Sequence, residues 1–338
     1  MNAIENGARQ AVVNCVKVQA GEAVVIITDR ETERLADAVR SQAEKVGARV
    51  KKFVMEDFGP RPEDGENPLA FPAELDQALA AARVSFYIAT GKAGELHSFR
   101  MPMVKKVDEY GLRHAHMPNF IEAMMSTGMA SDYAEIQRIS RQVHDIVHQA
   151  REIRVTTPAG TDLTARFDPK YRWIISDGDI RPGHWSNLPD GEVFTAPVEA
   201  EGKVVIDGCL GDFFNAKYGD LSGHPLEYRL EGGRCVKGSV RCANEELKRE
   251  FETYTFDTDE NSDRLGEFAI GTNIGLERLV GNLLQDEKFP GIHVAIGHGY
   301  PEKTGSDWTS EAHCDAVLKN TTIVVDGRTI MEDGNFKI

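Results

Sequence analysis

Four short segments in the second half of the chain carry residue types that could bind a metal ion: GEVFTAP with Glu192, GEFAIGTN with Glu267, HVAIGHGY with His293 and Tyr300, and HCD with His313 and Asp315. In the last, an imidazole and a carboxylate stand two residues apart, so the period of two along a strand turns both to one face while the apolar residues that follow run into a core. His293 opens a similar apolar strand, and the glycines after it free the backbone to bring Tyr300 back toward the same place. Glu192 and Glu267 share a form, glycine and then a carboxylate at the start of an apolar run, and a charge there is costly unless paired or metal-bound. Taken singly, each reads as well as a polar strand end. Taken together in one acidic domain, the mixed oxygen and nitrogen donors suit two carboxylate-bridged divalent ions, Zn, Mn or Co. Such a pair, roughly 3.5–4 Å apart, can hold a hydroxide nucleophile, polarise a carbonyl and take a free substrate amine, which is aminopeptidase chemistry.

These residues need a scaffold, and the chain is long enough for two cores: 338 residues against a prior of roughly 150 per domain. An opening helix over residues 2–18 is followed by a β-branched strand at 23–29, a helical stretch around Leu35 to Val46 and a strand at 48–55, a βαβ unit. Alternation continues with a helix from Pro72 to Ala82, strands at 84–89 and 112–117, and a helix between them from Phe99 to Tyr110, so a Rossmann-like parallel sheet is expected over 1–150. The long amphipathic stretch from Ser131 to Glu152 closes that domain. Beyond residue 151 the pattern changes to short strands and turns: a hairpin around Pro158-Ala159-Gly160, strands at 191–197, 202–207, 226–230 and 234–241, a helix from Ile274 to Leu284, and a final strand pair turning at Asp326-Gly327. The expected class is α/β, with a β-rich, barrel-like metal-binding domain over 151–338.

A dinucleotide reading of the first domain fails on its first turn. The strand at 23–29 runs into TDRETERL, which has no glycine to let backbone N–H groups approach phosphates and places acids where a pyrophosphate would lie. His114 and His116 alternate on one strand face, and their simpler reading is polar surface.

The net charge of −15 disfavours nucleic acid and anionic membranes as partners. It is unevenly spread: 18 basic and 21 acidic residues in the first 150, 21 and 33 thereafter. Five widely spaced cysteines without a Cys-x-x-Cys pair, no basic-then-apolar leader and no apolar run of about 18 residues point to a reducing cytoplasm.

In order, TTPAGTDL, NLPDGEVFTAP, GEFAIGTN, HVAIGHGY and HCD resemble the M29 family of metallo-aminopeptidases, the aminopeptidase T type. The resemblance implies homodimers that release N-terminal residues from short peptides, two divalent ions, and Glu192, Glu267, His293, Tyr300, His313 and Asp315 as their ligands. Glu287, one residue further from its histidine than the family spacing, is implied as another. In this reading Tyr300 ligates or orients the tetrahedral intermediate, and Glu267 or Glu287 relays the proton from water. The same scaffold is similar to 2,5-dihydroxypyridine 5,6-dioxygenases, which implies the alternative of one Fe(II) cleaving a ring; no histidine between His224 and His293 supplies the imidazole those enzymes would need near GEFAIGTN. Another metal-dependent amide hydrolase, or a metal-binding protein without catalysis, are the remaining readings.

Overall fold

The computed structural model describes residues 2–338, and the chain divides into two compact units: residues up to Glu135 with Gly178–Asp190, and Ile136–Asp177 with Gly191–Ile338. In the first, β1 (Ala23–Thr28), β2 (Arg49–Val54), β3 (Val84–Ala89) and β4 (Arg113–Pro118) form a parallel sheet in the order β2-β1-β3-β4, with Trp185–Asn187 added beside β4. β3 is buried along its whole length, as a central parallel strand covered on both faces must be. The opening helix, Ala3–Arg9, is started by a capping box between Asn2 and Glu5 and continues as π-helix through Cys15. The helix Glu33–Val46 stops at Gly47, whose φ of 95° is the left-handed conformation that ends helices.

Asp29, in the turn after β1, is fully buried and accepts from the Thr32 and Thr90 backbone N–H groups at 2.8 and 2.7 Å and from the Arg61 guanidinium at 2.7 Å. Arg61 in turn grips Glu95 through two hydrogen bonds of 2.7 Å. A carboxylate therefore takes the amides that a phosphate would need, and the unit is Rossmann-like in topology alone. One expectation is corrected here: His114 and His116 are buried in the sheet rather than exposed on its surface.

The second unit contains two mainly antiparallel sheets. One has eight strands, including the hairpin Glu152–Thr156 with Asp162–Arg166 and the terminal pair Thr322–Val325 with Arg328–Glu332. The other has five, ordered His313–Leu318, Gly291–Gly297, Leu265–Gly271, Glu192–Thr195 and Ile174–Ser176. A single apolar core joins the sheets, with Ile153, Val155, Val204 and Tyr228 from the larger and Phe268, Ile270, Ile292, Val294 and Ile296 from the smaller. Burying each such side chain contributes about 1.5–3 kcal/mol, enough to hold a sheet whose other face is polar.

The helix expected from Ile274 to Leu284 is not formed; only Leu283–Asp286 is helical. Gly281 adopts a φ of 78°, and the Asp286 carboxylate accepts from the N–H groups of Val280, Gly281 and Asn282 at 2.7–3.1 Å. A side chain satisfies the backbone donors that a helix would have used.

Candidate metal centre

Each strand of the smaller sheet sends alternate residues into the apolar core. Val193, then Phe268 and Ile270, then Ile292, Val294 and Ile296, then Cys314, Ala316 and Leu318 point that way. The intervening residues share the opposite face, and among them are Glu192, Glu267, His293, His313 and Asp315. Register aligns them: Glu267 stands opposite Ala295, and Ala295 opposite Asp315; His293 stands opposite Ala269. The two alanines keep the space between the donors open.

Glu267 reaches this face through an irregularity. Between Leu265 and Glu267 the pairing shifts by one residue, leaving Gly266 as a bulge. Only glycine fits there, because a Cβ would collide with the carbonyls of Gly297 and His298.

The donors converge. His293 Nε2 lies 3.4 Å from Glu267 Oε1, 3.5 Å from Glu192 Oε2 and 3.9 Å from Asp315 Oδ1. His313 Nε2 lies 3.3 Å from Asp315 Oδ1, 3.5 Å from Glu267 Oε2 and 3.3 Å from the Tyr300 hydroxyl. Glu267 thus turns one oxygen to each histidine. Glu287 forms a third group with His293 and Asp315, its oxygen within 4.8 Å of theirs. The His293 Nδ1–H donates to the Glu287 carbonyl at 2.8 Å, which orients the ring and leaves Nε2 to face the carboxylates. Tyr300 is placed by a left-handed residue, φ 51°, at the start of the short helix Pro301–Thr304, and its ring packs edge-on against Phe194 and His313.

Two ionised carboxylates 4 Å apart repel by about 4 kcal/mol at a protein-like dielectric constant, so the acidic residues gathered here require positive charge. Imidazoles supply part of it. Burial disfavours charge on His293 and His313, yet the facing carboxylates, Glu267 foremost for His293 and Asp315 for His313, hold both up at about 9. Asp315, despite burial, is kept well below the usual carboxylate range by His313 and His293. Glu287 is pushed up to about 8 by burial, against the pull of Lys288. Burial likewise raises the Tyr300 phenol.

Two atoms are left over: Glu192 Oε2 and His313 Nδ1 are buried with no hydrogen-bond partner among the described residues. An orphaned carboxylate oxygen aimed into a nest of oxygen and nitrogen donors fits a divalent cation, and the donor mixture is that of Zn, Mn or Co. All seven residues singled out in the sequence meet at this face. One member of the cluster escaped sequence reading: Lys288, whose ammonium lies 2.7 Å from Glu192 Oε1 and 2.7 Å from Glu287 Oε1. Its neighbour Asp286 turns away and takes the Cys209 thiol at 3.1 Å besides its three amides.

The family model for thermophilic metalloproteases (M29) matches residues 120–335, which contain every donor named above. The chain belongs to the M29 family. It is therefore a hydrolase of a metal-dependent protease family. The fold agrees with two solved structures, each 18% identical: AmpT from Thermus thermophilus, with a TM-score of 0.70 over 99% of both chains, and a 2,5-dihydroxypyridine dioxygenase from Pseudomonas putida, with a TM-score of 0.68 over 98% of this chain and 96% of that one. No curated protein matched the sequence. No helix of the described residues is long and apolar enough to cross a membrane.

Proposed function

We propose that this M29 protein is a metal-dependent aminopeptidase that removes N-terminal residues from short peptides. The observation that carries the reading is Glu267 with one oxygen facing His293 and the other facing His313 and Asp315, so that two donor groups share one carboxylate. Glu192, Glu267, Glu287, His293, His313 and Asp315 would hold divalent metal, Zn, Co or Mn, with Tyr300 as a further ligand or partner. When bound, the metal supplies Lewis acidity toward a peptide carbonyl and acidifies water. Glu267 or Glu287 accepts the proton of the attacking water and returns it to the leaving amine. The Tyr300 hydroxyl, beside His313 Nε2, donates to the oxyanion that develops on the substrate carbonyl. Surplus carboxylate on the face pairs with the free ammonium of the peptide. In this reading residues 151–338 form the catalytic domain, 1–150 the layered α/β domain, and the protein works as a cytoplasmic homodimer, a location in keeping with the wide spacing of its five cysteines.

A second reading has an observation of its own. His293, His313 and Asp315 form a two-histidine, one-carboxylate set, which suits a single Fe(II) and a ring-cleaving oxygenase. Three further carboxylates around that set favour hydrolysis. The test is metal content of protein purified without chelator, with release of amino acid from di- and tripeptides and from their N-acetylated forms. Metal-dependent release from free amino ends alone is expected. Release from the blocked forms would point to another amide hydrolase, and one iron with oxygen uptake on a hydroxylated pyridine would replace the assignment.

A further inference from the structure

Lys288 gives the donor cluster a cation belonging to the chain itself. Its ammonium is nearly fully buried and spends one oxygen each of Glu192 and Glu287, two of the candidate ligands. The backbone pins the residue, since the Lys288 N–H donates to the Gln285 carbonyl at 2.9 Å and its carbonyl accepts from the Asn273 N–H at 3.1 Å. The face is therefore unequal. Around Glu267, His313 and Asp315, no lysine or arginine forms an ion pair with either carboxylate among the described residues. Around Glu192, Glu287 and His293 the ammonium already bridges both acids, and Glu192 has only Oε2 left, 3.5 Å from His293 Nε2. A dication on that side would share its carboxylates with a fixed positive charge in a buried place where screening is weak.

We propose that the Lys288 ammonium takes the place of one of the two ions expected from the M29 resemblance, so that each chain binds a single divalent ion, centred on Glu267, His313 and Asp315. This rests on the metal-centre reading of the face and narrows it. The lysine supplies charge balance that a second ion would otherwise bring, and it holds Glu192 and Glu287 in place whether or not metal is bound.

The test counts ions. Full-length wild type, Lys288→Met and Lys288→Arg are loaded with excess Mn(II), desalted, and assayed for metal per chain, with folding checked by circular dichroism. One ion is expected for wild type and Lys288→Arg, and two for Lys288→Met. Should Lys288→Met fail to fold, the electron paramagnetic resonance spectrum of Mn(II)-loaded wild type decides: an isolated-ion signal supports the proposal and an exchange-coupled pair overturns it. Two ions in wild type with peptide cleavage intact overturn this proposal alone, as does a folded Lys288→Met that still binds one. A wild type that binds none overturns the metal-centre reading with it.

Discussion

Two pairs of histidines sit on the sheets of this molecule, His114 with His116, both buried, and His293, buried, with His313, half-buried, and they have opposite fates. In the first unit, Arg100 donates to His116 Nε2 at 3.2–3.3 Å; because an arginine can only donate, that nitrogen accepts, and His116 Nδ1–H must donate to His114 Nε2 at 3.2 Å. His114 Nδ1–H then donates to Ser85 Oγ at 2.8 Å. All four ring nitrogens are used within the chain, no carboxylate joins them, and burial drives His114 down to about 3 and His116 well below its ordinary value. In the second unit His293 and His313 are set on strands with the same alternation, but the face they share holds carboxylates and no closed relay. What a buried histidine does is decided by its neighbours across the sheet. Burial alone does not settle even the charge, since carboxylates hold His293 and His313 up against it while His114 and His116, without any, are driven down.

The sharpest way to break this comparison is Glu267→Ala. Losing a supporting partner of a metal ligand costs roughly 10–100-fold in activity, and Glu267 faces both histidines, so peptide turnover should fall by more than that with the circular dichroism spectrum unchanged. Turnover near the wild-type value would remove Glu267 from the site.

Next in size is an acid sensitivity owed to the first pair. His114 and His116 are neutral when folded and take up protons near 6.5 when unfolded, so the unfolded state binds more protons below that pH and stability falls as pH falls. Each histidine contributes about 1.4 kcal/mol per pH unit, from about 6.5 toward its lowered folded value. Urea unfolding between pH 7.5 and 4.5 should show this slope, and His116→Gln should flatten it. An equal slope in the variant would mean that carboxylates elsewhere set the acid limit.

Metal removal tests the other pair. Chelation should abolish peptide release and lower stability by about 3 kcal/mol relative to protein held at a hundredfold excess of metal over its Kd. A melting temperature indifferent to chelator would argue against a folded-state metal site. The smallest effect is expected for Ser85→Ala, which strands the His114 Nδ1–H: a loss of about 1–3 kcal/mol in unfolding free energy, with kcat/KM and metal content unchanged.

Much of this was legible before any coordinates. The β-branched runs at 23–29 and 84–89 and the absence of glycine after the first gave the parallel sheet and its lack of a phosphate turn, because both are local properties. His313 and Asp315 could be put on one face by counting alone. The helix expected after Ile274 failed because Asp286, up to six residues downstream, outcompetes it for backbone amides. His114 and His116 read as surface in the sequence because the relay from Arg100 to Ser85 that makes their burial tolerable spans three segments of chain. Lys288 carries no signal in the sequence for a similar reason: a lysine before a strand is ordinarily solvated, and only sheet order brings Glu192, almost a hundred residues earlier, within reach of its ammonium.

The bulge at Gly266 makes the site a matter of parity. Leu265 and Phe268 both face the core although they are three residues apart, which strict alternation forbids, so the extra residue resets odd and even along the strand. Were the strand paired regularly with every residue kept, Gly266 would stand opposite Ala295 and the two faces would exchange from Glu267 onward, driving a carboxylate into the apolar core and a phenyl ring among the donors without altering a single side chain. The place of the carboxylate is thus written in a residue count one larger than plain alternation needs, and the missing Cβ of Gly266 is what lets the chain absorb the surplus.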